Sequence, residues 1–126
     1  MKILIVDDEG AIRRSLERML RVTGCRILQA GDGAEAMALV RTENPDLILT
    51  DVMMPTMTGV ELVECLRAES NPVPVIVMSG GSIGHGAAGV KNLLATPGMI
   101  QGFVEKPFDP DVLLKLIGAQ LGLNAT

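Results

Sequence analysis

Five polar residues stand where short apolar runs stop. Ile3-Leu4-Ile5-Val6 runs into Asp7-Asp8, and Leu47-Ile48-Leu49-Thr50 runs into Asp51. Val75-Ile76-Val77-Met78 leads to Ser79, and Phe103-Val104-Glu105 leads to Lys106. If the runs are parallel strands, their carboxyl ends share one edge, and three carboxylates, a hydroxyl and an ammonium meet there. Crowded carboxylates repel one another, and a hard divalent cation such as Mg2+ (or Mn2+) relieves the repulsion through oxygen ligands. Lys106 adds a point charge able to reach both a carboxylate and a phosphoryl oxygen. With incoming charge neutralised, a carboxylate can attack phosphorus in line and leave an acyl phosphate on aspartate. Ser79 could then donate a hydrogen bond to the new phosphoryl group.

The elements that must bring these residues together are legible in the periodicity. Each run is short and rich in Val, Ile and Leu, with helical pattern between runs, as in the buried strands of a parallel sheet. Strands are predicted over 2–6, 25–29, 46–50, 73–78 and 102–105, with the second nearer an edge. Helices are predicted over Glu9–Val22 (Ile12, Leu16, Met19 and Leu20 inward), Ala34–Thr42 and 59–69 (Val60, Leu62, Val63 and Leu66 inward). A last helix, Asp109–Leu121, turns Val112, Leu113, Leu116 and Ile117 inward. Asp8 and Asp109 are expected as caps, Gly24 as the end of the first helix and Asn44-Pro45 as the end of the second. The stretch 79–99 is rich in glycine, which disfavours helix. A short, irregular fourth helix is expected over Ala87–Ala95, ended by Thr96-Pro97-Gly98. The result is an α/β fold of five βα units, a flavodoxin-like doubly wound parallel sheet in order 2-1-3-4-5. That order sets strands 1 and 3 side by side at the switch point, with Asp7 and Asp8 next to Asp51.

Composition narrows the function. With 126 residues the chain suggests one domain with a real core. Two Phe are its only aromatics, so the core is aliphatic, with eight Met filling gaps. A net charge of −4 argues against direct nucleic-acid binding. Cys25 and Cys65 lack CxxC spacing and read as reduced thiols in the core. The apolar run after Lys2 is too short for a signal peptide, and no stretch approaches the roughly 20 apolar residues of a membrane span. The expected location is the cytoplasm, with no membrane partner.

Asp7-Asp8, the string Asp51-Val52-Met53-Met54-Pro55-Thr56-Met57-Thr58-Gly59, Ser79 and Lys106-Pro107-Phe108 together resemble the receiver domain of bacterial two-component response regulators. Each motif alone is ordinary, since a paired acid can simply start a helix and a lysine can be a solvated charge. All four in this order at strand ends are specific, and the resemblance covers Met1 to about Leu121. It implies that Asp51 is the phosphoacceptor and that Asp7 and Asp8 hold the metal, with the backbone carbonyl of Met53 completing its shell. It also implies that Ser79 is the switch hydroxyl, Phe103 the aromatic switch and Lys106 the catalytic lysine, with a cis bond before Pro107. The phosphodonor is then a histidine kinase or histidine phosphotransfer protein, and phosphorylation alters binding to a downstream protein. The receiver domain is expected over 1–121, with 122–126 as a tail too short for an output domain and Met1 as a natural start.

Departures from the family sit in the Gly-rich stretch. Ser79 and Lys106 are 27 positions apart, about five more than the family's usual spacing, so the segment 80–99 is expected to be partner-specific or mobile. Met53 and Gly81 occupy positions whose side chains tune water attack in the family, and neither can place a water, so a long-lived phosphoprotein is expected. His85 reads as a surface residue. Two other functions compete: a Mg2+-dependent phosphohydrolase with an aspartyl nucleophile, and a receiver that acts unphosphorylated as a scaffold. The first resembles a pattern with a second Asp two residues after the nucleophile, where this chain has Met53. A nucleotide or flavin module lacks a GxxxxGK[ST] string and any Trp or Tyr to stack on a flavin.

Overall fold

The computed structural model describes residues 1–54, 56–80, 92–106 and 109–122. Five parallel strands, β1 (Lys2–Val6), β2 (Arg26–Ala30), β3 (Leu47–Asp51), β4 (Val75–Gly80) and β5 (Gly102–Lys106), form one sheet in the order β2-β1-β3-β4-β5. The predicted order holds, and β2 is an edge strand. Helices α1 (Gly10–Leu20), α2 (Gly33–Glu43) and α3 (Gly59–Ala68) follow the first three strands, and a C-terminal helix (Pro110–Leu121) follows β5. Residues 92–95 are helical as well, and Gly98 turns the chain at φ +83°. Residues 87–91 of the predicted fourth helix lie outside the described residues.

Period-two alternation decides which helix covers which face. Leu4, Val6, Ile48, Val75 and Val77 pack with Ala36, Met37 and Val40 of α2 and with Leu62, Val63 and Leu66 of α3. The alternate residues Ile3, Ile5, Leu47, Leu49, Ile76 and Met78 pack with Leu16 and Leu20 of α1 and with Leu113, Ile117 and Leu121 of the C-terminal helix. Because both faces are covered, β1 from Ile3 to Val6 and β3 from Leu47 to Leu49 are apolar without a break.

Local chemistry sets the helix starts near the carboxyl edge of the sheet. Asp32 caps α2 by accepting from the Glu35 N–H at 2.8 Å. Thr58 and Glu61 form a reciprocal capping box at α3: Thr58 Oγ1 accepts from the Glu61 N–H at 3.1 Å, and Glu61 Oε1 accepts from the Thr58 N–H at 3.0 Å. Asp109 caps the C-terminal helix ahead of Pro110, and Asn44 ends α2 in the left-handed region at φ 48°.

Several expectations need correction. Asp8 does not cap α1: Glu9 is the N-cap, without a side-chain bond, and the Glu9 N–H goes to Asp7 instead. That helix ends at Leu20 and continues as one 3-10 turn, Arg21–Thr23, before Gly24. Val112 is exposed at the start of the C-terminal helix, and Ile12, Met19, Val60 and Leu116 are only partly buried. Cys25 and Cys65 are free thiols at the margin of the core rather than within it. Among the described residues no helix is long and apolar enough to cross a membrane.

Candidate functional site

Strands β3, β4 and β5 run past their apolar stretches. Asp51 is the last residue of β3 and pairs with Met78, and Lys106 is the last of β5 and pairs with Gly80. Beyond Val6, the Asp7 N–H still donates to the Ala30 carbonyl at 3.1 Å. Asp7, Asp51, Ser79 and Lys106 are therefore held by the ladder itself, whereas Asp8 lies beyond it.

Asp7 is fully buried and has a partner at each polar atom. Its Oδ1 accepts from the Glu9 N–H at 2.9 Å and its Oδ2 from Lys106 Nζ at 3.0 Å. Its carbonyl accepts from Arg13 Nη1 at 2.6 Å. Asp51 is buried beside it, with Oδ2 3.4 Å from the same ammonium. Asp8 is exposed, yet one carboxylate oxygen from each of Asp7, Asp8 and Asp51 lies within 4.8 Å of the others. Ser79 follows Met78 on the neighbouring strand, in register with Glu105, and Phe103 is half-buried in register with Val77.

The electrostatics follow from burial and like-charge crowding. Burial pushes the Asp51 carboxyl above the ordinary aspartate range, and the Asp7 charge pushes the same way. Lys106 and the Met53 N–H pull it back only in part. Burial alone would lower Lys106, but its hydrogen bond to Asp7 and the charges of Asp51 and Asp7 outweigh it, so its ammonium is held above the ordinary lysine range. Three carboxylates against one ammonium leave the edge electron-rich. An all-oxygen donor set with one exposed member suits a hard divalent ion such as Mg2+, which keeps part of its water shell.

The backbone around Asp51 is fixed from behind. Thr50 Oγ1 donates to the Asp51 carbonyl at 3.0 Å, and the Val52 N–H donates to the Met78 carbonyl at 2.9 Å. A Cβ on Gly59 would stand 2.2 Å from the Asp51 carbonyl oxygen, so only glycine lets α3 start there. A Cβ on Gly33 would meet Met57 at 2.5 Å, which seats the β3–α3 connection on α2. Sequence reasoning missed Arg13 and Thr50, because each acts on a backbone carbonyl, which leaves no residue pattern, and it read Gly59 only as the end of the Asp51 string. Gly81, His85, Pro107 and Phe108 lie outside the described residues. So does the string Gly84-His85-Gly86-Ala87-Ala88-Gly89, which carries GxGxxG spacing. That fingerprint belongs after the first strand of a βαβ unit; here it follows the fourth, and β1 runs into two acids.

Residues 3–118 match the family described as the Response regulator receiver domain. The Response regulator MprA of Mycobacterium leprae (strain TN) is 35% identical over 122 residues, which is 96% of this chain and 51% of that protein. The chain thus spans about half the length of the curated relatives it matches. Among solved structures, the receiver domain of a signal transduction histidine kinase from Syntrophus aciditrophicus has a TM-score of 0.84 at 28% identity, over 99% of this chain and 93% of that one. The chemotaxis protein CheY4 of Vibrio cholerae has a TM-score of 0.78 at 32% identity, over 94% of this chain and 96% of that one.

Proposed function

The chain belongs to the response regulator receiver domain family, and from that premise we propose that it is a phosphorylation-activated signalling switch with Asp51 as phosphoacceptor. The observation that carries the reading is Lys106 Nζ bridging Asp7 at 3.0 Å and Asp51 at 3.4 Å, with Asp8 completing a three-carboxylate cluster. Asp7, Asp8 and Asp51, with the Met53 carbonyl, would hold Mg2+. Bound there, the ion supplies positive charge that offsets the incoming phosphoryl oxygens.

The chain's own residues do the rest. Asp51 presents an oxygen to the phosphorus of a phosphohistidine on a histidine kinase or phosphotransfer protein. The new P–O bond forms on Asp51 as the P–N bond breaks, its electron pair returning to the donor imidazole. Lys106 stays protonated and follows the developing charge. Ser79 then donates to the phosphoryl group, Phe103 turns inward, and binding to a downstream protein changes. The receiver unit spans 1–121 and acts in the cytoplasm. Turnover of external substrates is not expected, since Met53 offers no acid or base beside Asp51.

Intact-protein mass after incubation with acetyl phosphate tests the reading. One added phosphoryl mass is expected with Mg2+, and none with EDTA or in Asp51→Asn. Uptake that survives Asp51→Asn would overturn the assignment.

A further inference from the structure

Arg67, near the end of α3, is a half-buried guanidinium that the phosphoryl site does not touch. Its Nε and Nη2 donate to the Met99 carbonyl at 3.1 and 2.8 Å, and its Nη1 donates to the carbonyls of Asn71 and Val73 at 2.7 and 2.9 Å. Nη2 also reaches Gln101 Oε1 at 3.3 Å. These partners are carbonyl and amide oxygens, not carboxylates, and burial pushes the guanidinium below its ordinary range. Gln101 is itself bound twice to β4: its Oε1 accepts from the Val75 N–H at 2.7 Å, and its N–H donates to the Val75 carbonyl at 2.9 Å.

The strand that follows needs such an anchor. β5 is an edge strand, paired only with β4, and it opens on Gly102, which has no side chain to pack. Only Phe103 on one face and Val104 on the other pack β5 into the core, so bonds at its opening add to what fixes its register. Its last residue is Lys106. A slip of one residue would move that ammonium by about 3.3 Å and turn it to the other face of the sheet.

We propose that Arg67 is a positioning residue for the phosphoryl-transfer site: through Met99 and Gln101 it pins the opening of β5 on β4 and so sets where Lys106 meets Asp7 and Asp51. The inference deepens the reading above and rests on it for the chemistry of Lys106, although the pinning of β5 can be measured without it.

Two variants separate anchoring from charge. Arg67→Lys keeps the charge but lacks the planar fork that reaches four oxygens on two chain segments. Gln101→Glu keeps an acceptor for both Val75 and Arg67 and should behave as wild type. In Arg67→Lys, amides of Phe103 through Lys106 should exchange about tenfold faster while β1 and β3 keep their protection. Phosphorylation by acetyl phosphate at saturating Mg2+ should slow by about ten- to a hundredfold, with Mg2+ affinity by calorimetry unchanged. In a Lys106→Ala background, Arg67→Lys should cause no further slowing. Unchanged or uniformly raised exchange, or an equal further slowing without Lys106, overturns the inference. If β5 loosens as expected but wild type takes up no phosphoryl group, the anchor stands and the phosphoacceptor reading falls.

Discussion

Lys106 and Asp7 are 99 residues apart in sequence and 3.0 Å apart at their charged atoms. The same ammonium lies 3.4 Å from Asp51, so one cation is shared by two buried acids. Removing one partner of a buried pair leaves the other uncompensated.

The first prediction follows from that sharing. Lys106→Ala should lose about 1–2 kcal/mol of stability in EDTA, below the range for fully buried pairs because the ammonium is partly exposed. It should also bind Mg2+ several-fold more tightly, since a competing cation is gone, yet accept phosphoryl groups more slowly. Urea unfolding and titration calorimetry check both signs. Weaker Mg2+ binding would contradict the competition.

Asp51 gives the pH dependence. Its folded pKa lies above the ordinary value, so the ionised form costs stability. Below the unfolded value, about 3.9, the acid is protonated in both states and the cost vanishes. The cost is complete above the folded value. Asp51→Asn should therefore be more stable than wild type at neutral pH, with the gain shrinking toward pH 4. Unfolding curves of both proteins across that window decide it, and a gain independent of pH would contradict it.

Gly59→Ala should destabilise by about 1–3 kcal/mol or more, since its Cβ would press on a backbone carbonyl that cannot move aside. It should slow phosphorylation as well, because that carbonyl belongs to Asp51. A variant as stable and active as wild type would show that α3 can shift freely.

The capping box is a separable contribution. Thr58→Ala should cost about 1 kcal/mol, and adding Glu61→Ala should cost less than its own single effect, because the two bonds are reciprocal. Strict additivity in denaturant titrations would argue against a coupled cap.

Met53 is 45% exposed beside Asp51, and its side chain offers no charged or amide group to a water. The acyl phosphate should outlast a minute, and Met53→Glu should shorten its lifetime. Loss of the phosphoryl mass within seconds in wild type would contradict this.

The sequence made the strand order and the acidic edge legible because a doubly covered sheet writes its strands as unbroken apolar runs. Strand ends were less legible: β3, β4 and β5 run on to Asp51, Gly80 and Lys106, where a polar side chain ends the hydrophobic signal while the backbone ladder continues. Val112 fits the apolar spacing of its helix but sits exposed in the first turn. Asp8 has the composition of a cap, but the chain turns one residue later and the adjacent acid takes the free N–H. Arg67 was invisible, since a guanidinium that binds carbonyls matches no charge in the sequence.

The connection after β3 is closed on itself. The Gly59 N–H donates to the Val52 carbonyl at 2.8 Å, so the end of β3 and the start of α3 are tied together. Met54 is buried and Met57 lies against Gly33, which leaves Met53 facing outward. Changes at that position are insulated from the sheet and from α3. If Asp51 is the phosphoacceptor as proposed, the side chain that sets the lifetime of its phosphoryl group can change while the fold stays as it is, a modularity that lets timing evolve apart from stability.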